Sequence, residues 1–273
     1  MRRWLSAAVK GVVTVVLTVL LVGLLVGATT APSGETEGEI QVAELEGQGA
    51  QLTFPSGDGE PKGIAVWFHG QGGNAANRVD GPWLQSLRRA GWVIASSDFH
   101  FTSWGNEAST EDARRLVEWA EAETGLEVRL WVSGSMGGAV SLNALNFGVE
   151  PPACWYGVKP AINLREMDNV PGGRKFIAQA FDGEPPAERD PVRNLDTLPT
   201  EVRYRVVASK DDHWVLFDEN SGPLISSLTE RGGEVSLLRA TGLHEDPSHF
   251  NTGDLVDFAE TCRTGATASA DAG

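Results

Sequence analysis

Apolar residues in this chain gather into short runs separated by polar and glycine-rich segments. Runs at 63–69, 92–98, 128–133, 153–158, 204–208 and 235–240 are dominated by aliphatic and aromatic residues. Most are continuous rather than alternating, the pattern of strands covered on both faces. Between them the spacing becomes helical. Ala113, Leu116, Val117 and Ala120 share one face, with Ser109 as the expected cap and Gly125 as the stop. A second helix is expected from Asp80 and Pro82 to Gly91. A third runs from Ser221 and Pro223 through Leu224 and Leu228 to Gly232, and a last one covers 255–262. Alternation of this kind predicts an α/β class domain, with a mostly parallel central sheet and helices on both faces.

Some segments do not follow the alternation. Arg2, Arg3 and Lys10 precede an uncharged run of mainly Val and Leu at 11–28. A basic flank before an apolar helix is an export signal whose basic end stays inside. The run exceeds the roughly 7–15 residues of a cleaved signal and approaches the roughly 20 that span a bilayer. Residues 1–28 are therefore expected to be a signal anchor or a signal peptide. Either places the rest outside the cytoplasm, membrane-anchored or secreted, meeting the membrane only through this segment. Residues 29–49, rich in Gly, Glu, Thr and Ser, read as a flexible linker, 50–263 as the folded domain and 264–273 as a disordered tail. The long connection at 163–200 carries prolines, glycines and charges; it is expected to cap the site or to decorate the periphery.

The length of 273 residues, 41% of them hydrophobic, suits one substantial domain. The net charge of −15, with no basic stripe, repels phosphates and argues against nucleic-acid binding. Cys154 and Cys262 lack metal-ligand spacing; outside the cytoplasm they could pair, and otherwise they are small buried thiols. Trp67, Trp92 and Trp131 fall on expected strands and read as core rather than as a sugar-binding platform.

Candidate chemistry lies at the ends of the strands. Ser133-Gly134-Ser135-Met136-Gly137-Gly138 follows one strand and opens a helix. A nucleophilic serine needs a sharp turn that exposes its hydroxyl, and small residues two before and two after relieve the crowding. Gly137 meets that need; Ser133 stands where glycine is usual. His69-Gly70-Gln71-Gly72-Gly73 follows the first clear strand, and the N–H groups of Gln71 and Met136 could face a developing oxyanion. The same turn, with Gly70, Gly72, Ala75 and Asp98, loosely matches a dinucleotide-binding loop. After the next-to-last strand, Asp212 precedes the bulky Trp214 and Val215, which suits a turn that buries a carboxylate; Asp211 is the alternative acid and His213 reads as a surface residue. His244 follows the last strand and Gly242, where a base can reach a nucleophile, while His249 is expected to fix the loop.

Nucleophile, acid and base thus occur in the order Ser…Asp…His at strand ends, downstream of an oxyanion turn. In this the chain resembles the α/β-hydrolase superfamily of serine esterases, lipases and peptidases, from His69 to the final helix. The resemblance implies hydrolysis of an ester, amide or related acyl bond of a small-molecule or lipid-like substrate. Ser135, Asp212 and His244 would be catalytic, Gln71 and Met136 would form the oxyanion hole, and no metal or cofactor would take part. An envelope acyltransferase with the same triad and a non-catalytic binding protein on the same fold are the alternatives.

Overall fold

The computed structural model describes residues 38–262 except Asp58. The expected N-terminal apolar helix and the expected tail lie outside the described residues. Among the described residues no helix is long and apolar enough to cross a membrane.

The strands are β1 (Ile40–Leu45), β2 (Gln48–Thr53), β3 (Ile64–Phe68), β4 (Val93–Ser97), β5 (Val128–Gly134), β6 (Cys154–Val158), β7 (Arg203–Ala208) and β8 (Val235–Arg239). The helices are α1 (Pro82–Arg89), α2 (Glu107–Thr124), α3 (Gly137–Asn146), α4 (Gly173–Ala180), α5 (Ser221–Glu230) and α6 (Thr252–Glu260). One eight-stranded sheet has the order β1-β2-β4-β3-β5-β6-β7-β8. β3 to β8 are parallel to one another, while β1 and β2 form an antiparallel hairpin whose β2 pairs antiparallel with β4. All six expected strands are present, and this architecture is the α/β-hydrolase fold.

Strand periodicity divides the core between the two faces of the sheet. Ile64, Val66 and Phe68 face one layer, with Val93, Ala95, Trp131 and residues of α2, α3 and α5. Ala65 and Trp67 face the other, with Ile94, Val132 and residues of α1 and α6. Strand order reverses around β3: β4 pairs on one side of it and β5 on the other. The loops that follow β3 and β5 therefore part at a crevice, where open α/β sheets place their sites.

Three expectations change here. The flexible linker expected at 29–49 overlaps β1 and the start of β2, because backbone pairing of Ile40–Leu45 with Gln48–Thr53 needs few buried side chains. The cap of α2 is Asn106, whose side chain accepts from Ser109 N–H; Ser109 is buried in the first turn. The 163–200 connection holds α4 and three single 3₁₀ turns, and only its Val170 and Pro171 line the cavity near Ser135. Further along, Leu195 and Leu198 are buried, and Arg231 donates to both of their carbonyls.

Cys154, at the start of β6, is bridged to Cys262, just past α6, with Cα atoms 5.7 Å apart. The bridge spans 108 residues, so cross-linking restrains a large part of the unfolded chain. Reduction, or a Cys154→Ser/Cys262→Ser double variant, should lower stability by about 2–5 kcal/mol. Denaturant unfolding with and without reductant checks this; coincident curves for native and reduced protein would contradict it.

Candidate active site

Ser135 sits in the turn between β5 and α3 with φ 52°, a left-handed conformation that non-glycine residues seldom adopt. Backbone bonds hold it there. Its N–H donates to Val158 O at 3.0 Å, and its carbonyl accepts from Gly138 at 2.8 Å and Ala161 at 2.9 Å. The turn passes so close to β3 that a Cβ at Gly137 would lie 2.1 Å from Phe68 O. Glycine is required at that position for contact rather than for flexibility. Ser133, where glycine was the usual expectation, is accommodated as a fully buried residue of β5.

The turn brings the three sequence-predicted side chains together. His244 Nε2 lies 3.1 Å from Ser135 Oγ, and His244 Nδ1 lies 2.7 Å from Asp212 Oδ2. Asp212 and His244 are buried. Asp212 Oδ1 accepts from Trp214 N–H at 2.9 Å and Val215 N–H at 3.1 Å, so the carboxylate is fixed by its own turn. Burial pushes its pKa up, but the His244 hydrogen bond and charge, with the two backbone donors, outweigh that and hold it below the usual carboxylate value. Asp211 and His213 are exposed, and of the two adjacent aspartates it is Asp212 that meets the imidazole.

The His244 loop is closed on itself. Ser248 Oγ donates to Thr241 O at 2.7 Å and accepts from Thr241 N–H at 3.0 Å, while Asp246 N–H donates to Leu243 O at 2.9 Å. His249 is buried beside this loop, with Nδ1 3.0 Å from Asp246 O, as expected of a loop-fixing residue. Trp214 covers the imidazole with ring centroids 5.1 Å apart.

The Gly-rich turn after β3 borders the same cavity. The backbone N–H groups of Gln71 and Met136 have no acceptor among the described residues. His69 is buried between two carbonyls, with Nδ1 2.8 Å from Gly70 O and Nε2 2.9 Å from Asp98 O. A Cβ at Gly73 would lie 2.7 Å from His69 Nδ1, so glycine is needed there to let the turn fold back over the ring. Gln71 Nε2 donates to Pro171 O at 2.9 Å, tying the turn to the 163–200 connection.

The dinucleotide-loop alternative does not survive. Both Asp98 carboxylate oxygens are used within the protein, by Ala75 N–H and Gly49 N–H, each at 2.9 Å. In addition, among the described residues the first helix after β3 begins only at Pro82, so none opens at this turn to receive a pyrophosphate.

Two features here had no sequence signal. Phe99, His100 and Phe101 adopt consecutive left-handed conformations, with φ of 45°, 53° and 55°. Such backbone costs roughly 1–2 kcal/mol per residue. Phe99 stacking on Phe68 at 4.8 Å and the 2.6 Å contact of His100 Nδ1 with the buried Asp112 offset it. The other is Lys159, with φ 43°, which is buried and donates from Nζ to His244 O. The cavity at Ser135 measures about 380 Å³ and is lined also by Arg78, Glu245 and Phe250.

The sequence matches no protein-family profile and no curated protein. Solved structures share the fold. A puromycin-hydrolyzing peptidase of Mycobacterium tuberculosis superposes with TM-score 0.70 at 16% identity, over 85% of this chain and 41% of that one. The chain thus spans well under half of that peptidase. An esterase/lipase from an uncultured bacterium gives 0.67 at 17% identity, over 85% of this chain and 86% of that one. Thermogutta terrifontis esterase 2, phosphoramylated by tabun, gives 0.62 at 16%, over 84% and 95%.

Burial pulls the pKa of His69 below its ordinary 6.5 against the pull of its two carbonyl partners, and burial does the same to His249. Folded protein then binds these protons less readily than unfolded chain, so their contribution to stability is present above about pH 6.5 and is lost as pH falls below it. Asp112 and Asp190, whose carboxyls burial pushes up, work in the opposite sense. Comparison with His249→Gln isolates the histidine. The melting temperature of the wild type should fall more steeply than that of the variant between about pH 7.5 and 5.5. Parallel curves would contradict a buried, neutral His249.

Proposed function

We propose that this chain, which has the α/β-hydrolase fold, is an extracytoplasmic serine hydrolase that cleaves an acyl bond of a small-molecule or lipid-like substrate, most readily a carboxylic ester. The observation that carries this reading is the continuous relay from Ser135 Oγ through His244 to Asp212, at 3.1 and 2.7 Å. His244 Nε2 takes the proton of Ser135 as Oγ attacks the acyl carbon, and the imidazolium formed is stabilised by Asp212. The Gln71 and Met136 N–H groups, free of acceptors among the described residues, are suited to hold the oxyanion. His244 then returns the proton to the leaving alcohol or amine, and water attacks the acyl-enzyme by the same route in reverse. Every step draws on groups of the chain itself and water.

The extracytoplasmic placement is supported by the basic-flanked apolar run at 11–28 and by the Cys154–Cys262 bridge, since disulfides persist in oxidising compartments. The esterases and peptidase of like fold share the architecture; their activities come to this chain only through the site geometry.

Ser135→Ala should lower kcat on p-nitrophenyl esters by roughly a million-fold, and Asp212→Asn by roughly ten-thousand-fold, the magnitudes of triad loss in serine proteases. Asp211→Asn should leave kcat within about two-fold, as for a surface charge outside the relay. Steady-state kinetics on the purified variants decides. Undiminished turnover in Ser135→Ala would refute the nucleophile.

A further inference from the structure

The cavity beside Ser135 holds charges that the acyl chemistry does not use. Lys159 is only 6% exposed, and its ammonium carries three N–H donors. One meets the His244 carbonyl. The carboxylate beside it, Glu245 Oε1, stands 3.8 Å away, beyond hydrogen-bond reach. Its remaining surroundings include the Phe250 ring, with the centroid 5.1 Å from Nζ. A buried ammonium with unmatched donors facing a cavity is costly unless something there accepts from them.

Arg78 supplies a second cation to the same cavity. Its guanidinium lies 4.6 Å from the Phe250 centroid, and Nη2 is 4.0 Å from Glu245 Oε2. Its backbone is left-handed at φ 61°, a conformation that a bulky residue holds at some cost and that marks functional turns. Glu245 is the only carboxylate among the described residues lining the cavity, and its side chain is 62% exposed. It pairs with both cations only at the outer edge of ion-pair range, 4.0 Å from Arg78 and 3.8 Å from Lys159, and hydrogen-bonds to neither. Burial lowers the Lys159 pKa; the charge of Glu245 opposes that, the neighbouring Arg78 adds to it, and Asp212 opposes it in turn.

We propose that the Arg78–Lys159 pair binds a carboxylate carried by the substrate, so that the preferred substrates are acyl compounds bearing a free carboxylate, such as half-esters of dicarboxylic acids. This rests on the serine-hydrolase reading and deepens it by naming a substrate class. Charge-assisted hydrogen bonds to a partly desolvated carboxylate give the preference; Glu245, displaced toward solvent, limits it.

The test compares mono-p-nitrophenyl esters of succinic, glutaric and adipic acids with neutral p-nitrophenyl alkanoates of equal chain length. Uncatalysed cleavage is subtracted, and Ser135→Ala serves as the baseline. The readout is the ratio of kcat/KM for charged over neutral ester in each pair, which cancels general damage to catalysis. At least one pair should favour the charged ester by roughly ten-fold or more. Arg78→Met and Lys159→Met should each bring that ratio toward one, and Glu245→Gln should raise it about two- to three-fold. Arg78 lies at the surface, so its variant keeps the test informative if Lys159→Met fails to fold. Ser135-dependent cleavage of both members of every pair, with no charged preference or with a preference unmoved by Arg78→Met, overturns the carboxylate site and leaves the hydrolase standing. Cleavage of neither ester above the Ser135→Ala baseline overturns both.

Discussion

The arrangement depends on one hydrogen bond, from Ser135 Oγ to His244 Nε2, joining residues 109 apart in the chain. Neither side chain finds the other locally. Ser135 is placed by the end of β5, whose register sets Ser133 opposite Phe68 on β3 and Gly157 on β6. His244 is placed by the loop after β8, which pairs with β7, the strand that delivers Asp212. Slipping any of these strands by one residue would turn its side chains to the other face. The two-faced hydrophobic core therefore fixes the geometry of the site as firmly as the side chains that meet there. The Cys154–Cys262 bridge adds a covalent restraint at the opposite end of β6 from Lys159.

Much of this was legible in the sequence because strands buried on both faces leave continuous apolar runs. Runs such as 92–98 and 128–133 could hardly be anything else in a chain with this spacing. Asp212 was separable from Asp211 in principle, since Trp214 and Val215 demand a buried turn whose N–H groups need an acceptor. The hairpin of β1 and β2 was not legible. β1 buries no residue fully, and Ile40 and Val42 stand exposed, so its stability comes from backbone pairing that composition does not record. The helix caps at Asn106 rather than at the expected Ser109, three residues earlier, after the left-handed turn at Trp104 and Gly105. The burial of Lys159 comes from the tertiary fold, in which the His244 loop meets a strand-end lysine.

The charge distribution has a consequence for substrate entry. The chain as a whole carries −15, yet among the described residues the cavity at Ser135 presents Arg78 and Lys159 against the single carboxylate of Glu245. At physiological salt the surface field decays over about 8 Å, so a carboxylate-bearing substrate of the proposed kind would be repelled only near the molecule and attracted only once inside. Selectivity in such a site comes from short-range pairing rather than from steering. It also keeps the cations from capturing polyanions, which the acidic surface repels.

The central claim is that Ser135 is the residue made nucleophilic by His244. Intact-mass analysis after reaction with a fluorophosphonate, followed by peptide mapping, tests it most directly. The account expects a single adduct, on the peptide containing Ser135, that is lost in His244→Ala although the protein remains folded. An adduct mapped to another residue, or none on folded wild-type protein, would contradict it.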